Sequence, residues 1–332
     1  MLNAVTYVDS FFESLKKQTC YPNIQLVIAV CETDISTHQA IKTSEARFNG
    51  LVTIVQTKYG RISEGLNLCI KNAVSDYIVR VDAHTIISPA YLEVVVERVK
   101  LNPYVFAAGE LHTASSGSGG VAKSIAVVQC SKIGSGTGAE FRTQQNLIQE
   151  ELLVDTAAFC CMFKPTLEMI SGYDESFIGS EDDELNFRAR KYGVKILVVK
   201  GIKATYLARN TWREFIKQYF YYGYNKVGYL IKYKQFYSYK VLLPCAFFLL
   251  YIIALLYINH FPSQMLLLLM IIGYSLAAIT LRNSLVGFLV TAISLFLMHN
   301  AYASGFIAGC LSYALRGYLH KGVKITSYYY SE

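Results

Sequence analysis

Charged residues are scarce in this chain: 17% of its 332 residues are Asp, Glu, Lys or Arg, against roughly 25% in an ordinary soluble domain. With 53% hydrophobic residues and a mean hydropathy of +0.31, that scarcity excludes a disordered chain and sets this one apart from a purely soluble enzyme. Prolines number only six, which excludes a proline-rich linker protein. Eight cysteines are present (Cys20, Cys31, Cys69, Cys130, Cys160, Cys161, Cys245 and Cys310), but no CxxC pair and no Cys/His spacing suited to zinc. Scattered through apolar runs, they read as free thiols of a reducing compartment, not as a disulfide framework. The first ten residues lack the basic start and long apolar core of a signal peptide. Acid is what the C-terminal part lacks: residues 1–200 hold 19 basic and 22 acidic residues, and residues 201–332 hold 12 and 2. No basic stripe marks the first 200 residues, so a nucleic-acid reader is excluded. The positive excess points instead to an anionic membrane surface.

That basic part is also the apolar part. Long apolar runs cover residues 241–259, 264–281 and 285–311, the last interrupted by His299 and Asn300. About 20 helical residues cross a bilayer, so three runs with short links predict about three membrane spans within residues 241–315, followed by a tail over 316–332. Before them, residues 206–240 mix Arg213, Lys217, Lys226, Lys232, Lys234 and Lys240 with Trp212, Phe215, Tyr219, Tyr221, Tyr222, Tyr224 and other aromatics. This composition suits an amphipathic helix at the cytoplasmic interface, which places residues 1–200 in the cytosol. Arg282 agrees with that orientation. Arg316, Lys321 and Lys324 do not agree with a count of three, which leaves open a re-entrant or divided third run.

Residues 1–205 read as one α/β domain. Apolar strands are expected at 25–30, 51–56 and 77–81, and helices at 38–47, 63–74 and 89–101. The alternation implies a Rossmann-like doubly wound parallel sheet with ligands at the carboxyl ends of its strands.

Four segments carry candidate chemistry. Arg80-Val81-Asp82-Ala83-His84 puts a carboxylate and an imidazole at the tip of an apolar strand, where both can converge on a divalent ion bound to a diphosphate. Glu181-Asp182-Asp183-Glu184 opens a helical pattern. The helix dipole favours acids there, but four adjacent acids repel one another, and one with a raised pKa suits a general base. The glycines of residues 132–142 form a loop able to cradle phosphate. Residues 218–226 join Gln218 to an aromatic cluster, which serves either as an interfacial anchor or as a platform for a sugar ring.

Taken in order, these segments resemble family-2 glycosyltransferases of the GT-A fold, and in particular the membrane-anchored exopolysaccharide branch of succinoglycan-type glucosyltransferases. The resemblance runs over residues 1–315. Gly60-Arg61 and Gly65-Leu66-Asn67 match the stretch before the family's donor site, Asp82-Ala83-His84 its DxD motif, and Gly134 to Arg142 its glycine loop. Val154-Asp155-Thr156 and Gly172-Tyr173-Asp174-Glu175 match the acceptor approach, and Glu181 to Leu185 the ED motif. Gln218 to Tyr222 is similar to the Q-x-x-x-W motif, and His299, Tyr302, Gly305 and Gly309 to a terminal HxxYxxG pattern.

The resemblance implies an inverting glycosyltransferase that moves a sugar from a nucleotide-sugar, expected to be a UDP-sugar, to a lipid-linked or growing bacterial polysaccharide at the inner membrane. It implies Asp182 as general base with Asp183 as the alternative, and Mn²⁺ or Mg²⁺ held by Asp82 and His84. Arg61, Asn67 and Asp82 fall on the donor side. Asp155, Glu181, Gln218, Tyr221 and Tyr222 fall on the acceptor side. The family opens with a strand of the type V-S-V-I-I-P, and Met1 to Ala4 align just after it. The base-reading Asp of its second strand aligns with Val30, so Glu32 and Asp34 are the nearest acids for that task. Two other readings stay open: a polyprenyl-phosphate sugar synthase, and a non-catalytic membrane partner in a polysaccharide-synthesis complex.

Overall fold

A computed structural model describes residues 4–135, 150–177, 179–235, 242–281 and 285–319. The sequence features at residues 136–142, 236–240, Arg282, Lys321 and Lys324 lie outside the described residues. The chain divides into two compact units, Met1–Thr113 with Glu140–Leu207, and Ala114–Ala139 with Ala208–Glu332.

The first unit opens with helix α1 (Val5–Lys16) and strand β1 (Gln25–Cys31), whose Leu26, Val27, Ile28 and Val30 favour extended backbone. Helix α2 (Ile35–Glu45) follows, and strand β2 (Leu51–Thr57) pairs in parallel with β1 in register from Gln25↔Leu51 to Cys31↔Thr57. Helix α3 (Ile62–Asn72) returns across this pair. A Cβ on Gly65 would sit 3.0 Å from Ala29 Cβ, so glycine lets α3 lie close against β1.

While four pairs of the second sheet run antiparallel, the parallel expectation holds for β1 and β2. Beyond them run β3 (Tyr77–Val79), β4 (Thr85–Ile87), helix α4 (Tyr91–Leu101) and the long strand β5 (Val105–Ser115). After β5 the chain passes through helices α5 (Gly120–Cys130) and α6 (Lys132–Ser135) of the second unit. It returns as β6 (Glu151–Val154), β7 (Cys161–Phe163), α7 (Lys164–Met169), α8 (Glu181–Lys191) and β8 (Lys195–Ala208). The six strands β3 to β8 form a sheet of order β3-β7-β5-β8-β4, with β6 also on β8. The pairs β3–β7, β5–β7, β4–β8 and β6–β8 are antiparallel. Antiparallel partners are often joined by tight hairpins, but here partners such as β4 and β8 lie far apart in sequence. Periodicity within each strand carries no record of that. Phe106, Ala108, Met162, Leu167, Leu185, Ile196 and Val198 form the core beneath this sheet.

In the second unit, helix α9 (Trp212–Tyr233) starts at Thr211, whose hydroxyl accepts from the Glu214 N–H. It packs on helix α12 (Leu285–Leu319) at glycines on both sides. A Cβ on Gly223 would collide with the Tyr302 carbonyl oxygen, and one on Gly305 with that of Phe220. Gly305 and Gly309 form the small-xxx-small spacing that lets helices in lipid approach closely.

Among the described residues two helices, α11 (Phe261–Leu281) and the Gly287–Ala314 stretch of α12, are long and apolar enough to cross a membrane. The first apolar run does not reach that length. Helix α10 (Leu243–Leu256) has 14 residues, about 21 Å against a hydrocarbon core of about 30 Å. It stops at Tyr257, before Asn259, His260 and Pro262, the last lacking a helical N–H donor. The third run is neither divided nor re-entrant across its described residues: α12 is one continuous helix of 35 residues. Asn300 sits within it by donating its Nδ2 to the Phe296 carbonyl at 2.7 Å.

Candidate active site

The site grows from the end of β3. The chain leaves that strand at Arg80, whose N–H bonds the Cys160 carbonyl at 3.2 Å, and turns at Asp82, whose carbonyl accepts from Thr85 N–H at 3.0 Å. Side chains alternate along an extended chain, so Arg80 and Asp82 share a face. Helix α8 brings its first turn to the same place. It is entered through Ser180 in the left-handed conformation (φ 59°).

Arg80 is the centre. Its side chain is 6% exposed and touches three carboxylates. Nε donates to Asp82 Oδ1 at 3.0 Å, Nη2 to Glu181 Oε1 at 2.8 Å, and Nη1 to Asp182 Oδ1. The guanidinium lies 5.9 Å from the centre of the Tyr173 ring. Burial works against the charge on Arg80, but Asp182, Asp82 and Glu181 outweigh it and raise its pKa. Burial alone would also raise Asp82, yet Arg80 and then His84 hold its carboxyl below the ordinary value. Asp182 moves the other way: burial pushes it up to about 8, against Arg80 and reinforced by Glu181, Asp82 and Asp183.

The four consecutive acids divide among three partners. Glu181 and Asp182 face Arg80. Asp183 accepts from the Thr156 hydroxyl at 3.1 Å, and that oxygen in turn accepts from Asn186 Nδ2 at 2.9 Å. Glu184 is buried in a two-pronged pair with Arg188, which also donates to the Ile170 and Gly172 carbonyls. Asp182, not Asp183, shares a guanidinium with Asp82.

His84 lies edge-on to Tyr206 (5.0 Å between centroids) and to Tyr7 (6.2 Å), which fixes its ring beside the Asp82 turn. Among the described residues no group of three or more His, Cys, Asp or Glu is placed to hold a metal ion. One carboxylate and one imidazole fit an ion that takes its remaining ligands from water and a diphosphate.

None of the other candidates in the first unit bonds Arg80 directly. Glu32 is exposed at the carboxyl end of β1. Asp34 is buried and caps α2, accepting from Thr37 N–H at 3.1 Å. Arg61 precedes α3 with its guanidinium 5.6 Å from the Tyr59 ring centre. Asn67 grips the backbone of Tyr173 from both sides: Nδ2 donates to its carbonyl, and Oδ1 accepts its N–H, both at 2.8 Å. Asp155 pairs with Arg190 at 2.8 Å on a largely exposed surface. In the second unit, Gln218 donates to the Tyr222 hydroxyl at 2.9 Å, and Tyr221 stands edge-on to Phe220 on the same helix.

The family profile described as Glycosyl transferase family 2 matches residues 1–168, half of the chain, including Arg61, Asp82 and His84. The chain belongs to glycosyl transferase family 2. Within that family it is 26% identical over 248 residues to the succinoglycan biosynthesis protein ExoA of Rhizobium meliloti (strain 1021), covering 74% of this chain and 72% of that one. The mannosyltransferase PcManGT from Pyrobaculum calidifontis, solved with GDP-Man and Mn²⁺, superposes with a TM-score of 0.55 at 13% identity. That match covers 94% of this chain and 85% of that one, and the shared fold is the GT-A-like α/β fold. S. aureus TarS, at 15% identity and a TM-score of 0.47, covers 66% of this chain, which spans only 38% of TarS.

Sequence reasoning assigned no role to Arg80, Tyr173, Thr156 or Asn186. For Arg80 a signal existed: a lone cation in an apolar strand, two residues before an acid on the same face. Asn186 gave none, and Tyr173 gave only its place in a family-matching segment, because both roles depend on neighbours across the fold.

Proposed function

We propose that this family-2 glycosyltransferase transfers a sugar from a nucleotide-sugar, with a UDP-sugar the expected donor, to a lipid-linked or growing bacterial polysaccharide, with inversion. One observation carries the reading: a single buried guanidinium holds Asp82, at the end of a strand, beside Asp182, at the start of a helix. That pairs a carboxylate suited to the donor with one suited to the acceptor.

Asp182 is the general base. An acceptor hydroxyl oxygen attacks the anomeric carbon, its proton passes to the Asp182 carboxylate, and the bond to the diphosphate breaks. A pKa near 8 suits a base at neutral pH. Asp82 and His84 would hold a divalent ion, Mn²⁺ or Mg²⁺, which when bound supplies positive charge to the departing diphosphate. Arg61 and Glu32 stand at the strand ends where a nucleotide docks in open α/β sheets, while Asn67 and Asp34 act through Tyr173 and the cap of α2. Asp155, Glu181, Gln218, Tyr221 and Tyr222 serve the acceptor side. Helices α11 and α12 anchor the chain in the inner membrane with the first unit cytoplasmic, and α9 lies at the interface. An anchored enzyme meets a lipid-linked acceptor at high effective concentration.

A phosphate acceptor is already ionised and needs no base, so Asp182 disfavours the polyprenyl-phosphate reading. Membership of an enzyme family disfavours the non-catalytic one. The test is nucleoside diphosphate release from a panel of sugar-nucleotides, using membranes that carry the full chain with Mn²⁺ or Mg²⁺. Asp182→Asn is expected to lower release by about 10²–10⁴-fold. Equal rates in Asp182→Asn and the parent chain would remove Asp182 from this role.

A further inference from the structure

The cluster contains a residue that belongs to neither motif and yet touches both. We infer that Arg80 is a positioning residue for glycosyl transfer, holding the Asp182 carboxylate at a fixed place relative to Asp82. The inference rests on the roles given above to those two acids.

Three observations support it. First, the partners of Arg80 come from segments far apart in the first unit's sequence: Asp82 is two residues away, Glu181 101 and Asp182 102. No backbone hydrogen bond described between the two segments fixes Asp82 against Asp182, so the fork is the direct link.

Second, the shape of the group matters. Nη1 takes Asp182, while Nε and Nη2 both take Asp82 and Nη2 also takes Glu181, a spread that a planar guanidinium with diverging donors covers and a single ammonium does not. Without the cation, three carboxylates would repel one another in a half-buried place.

Third, Arg80 is itself held. Tyr173 lies against its guanidinium. The backbone of Tyr173 is gripped on both sides by Asn67, and the turn before it has Ser171 and Gly172 at φ 65° and 60°. A Cβ on Gly172 would come within 2.8 Å of Asn67 Oδ1, so the turn admits glycine for space as well as for conformation. Arg188 bonds the Ile170 and Gly172 carbonyls and closes the turn from the other side. A chain of support runs from Asn67 through Tyr173 to Arg80, and from there to the two reacting groups.

A merely structural ion pair would show its loss as instability, and a ligand of the donor phosphates as weak donor binding. A positioning residue lowers turnover with donor binding kept, because the misplaced base matters only in the transition state. The experiment compares the parent chain, Asp182→Asn, Arg80→Lys and Tyr173→Ala in the same membranes. It reads kcat and donor KM from diphosphate release, affinity for the free nucleoside diphosphate with Mn²⁺ from equilibrium binding, and folding from the tryptic fragment pattern.

Arg80→Lys keeps a cation for Asp82 but loses the arm to Asp182. It is expected to lower kcat on the order of 10²-fold, the scale of a misplacement near 1 Å, with KM and diphosphate affinity within about threefold. Tyr173→Ala leaves all four charges in place and is expected to give the same split, more weakly, which decides the matter should Arg80→Lys fail to fold.

Parental kcat in Arg80→Lys or in Tyr173→Ala overturns the inference. So does a parallel loss of diphosphate affinity, which would make Arg80 a donor ligand. A parent chain that releases no diphosphate from any donor overturns the proposed function instead. An active parent with an inactive Asp182→Asn and a parental Arg80→Lys overturns this inference alone.

Discussion

The two units bury polar groups in different ways. The first buries charge beside its neutral groups: Arg80 with three carboxylates, and Glu184 with Arg188. Among the described residues of the second, the buried polar side chains are neutral. Ser294 Oγ, fully buried, lies 2.8 Å from Ser124 Oγ and accepts from Trp212 Nε1 at 3.0 Å. His299 Nε2 meets the Ile133 carbonyl at 3.0 Å, and its Nδ1 lies 3.1 Å from the Tyr274 hydroxyl. The carbonyl requires the proton on Nε2, so Nδ1 accepts from Tyr274. Charges at strand ends and helix starts can be solvated along one side and used on a charged substrate. Among apolar helices a charge is costly, and association relies on close backbone approach and uncharged hydrogen bonds. The contrast separates chemistry from anchoring more sharply than composition does.

Four measurements would break or sharpen that contrast. The largest effect is expected in the ionic unit. Arg188→Ala leaves Glu184 buried without its partner and should cost about 3–5 kcal/mol, read as a lowered unfolding midpoint in detergent. A loss within the range of the neutral substitutions would erase the distinction.

In the neutral unit, Gly305→Leu drives a side chain into the Phe220 carbonyl and should cost about 1–3 kcal/mol or more. Gly273→Leu on α11, with open space around its Cβ position, is the control and should be close to neutral. Equal damage from both would mean that the α9–α12 contact is not what holds the unit.

Ser294→Ala strands the Trp212 N–H and removes one hydroxyl pair, for about 1 kcal/mol. Trp212 is the only tryptophan, so its fluorescence reports the loss directly.

The smallest effect is in pH. Between pH about 4 and about 8 the folded chain keeps a proton on Asp182 that the unfolded chain has released, so this group makes stability fall as pH rises through that window. Asp82, held below its ordinary value, acts oppositely: its contribution is present above the ordinary carboxylate range and is lost as pH falls. With metal chelated, Asp182→Asn should flatten the downward slope between pH 5 and 8. An unchanged slope would mean that Asp182 does not titrate there.

Much of the site was legible because its residues are local in sequence. Asp82 and His84 stand at the tip of one strand, and Glu181 to Glu184 at the start of one helix, which a linear reading detects. Their meeting was legible only through family resemblance, since nothing local ties residue 82 to residue 182. The same limit applied to the fold. Strands β1 and β2 follow from apolar periodicity and pair in parallel as the βα alternation implies. The antiparallel pairing of β4 with β8 is fixed by contacts more than 100 residues apart. Hydropathy found the apolar helices but misjudged α10, because a run of apolar residues does not reveal where a helix stops.

Helix α12 has a mechanical consequence. Thirty-five residues in one helix make a rod of about 52 Å, some 20 Å longer than the hydrocarbon it would cross. A rod without a joint transmits tilt over its whole length. At His299 it is bonded to Ile133 of α6, and along Gly305 and Gly309 it is seated against α9. In a thinner or thicker bilayer, hydrophobic mismatch alters the tilt of such a rod, and α6 and α9 move with it. Were α12 to span a bilayer, lipid chain length would become a mechanical input to this enzyme.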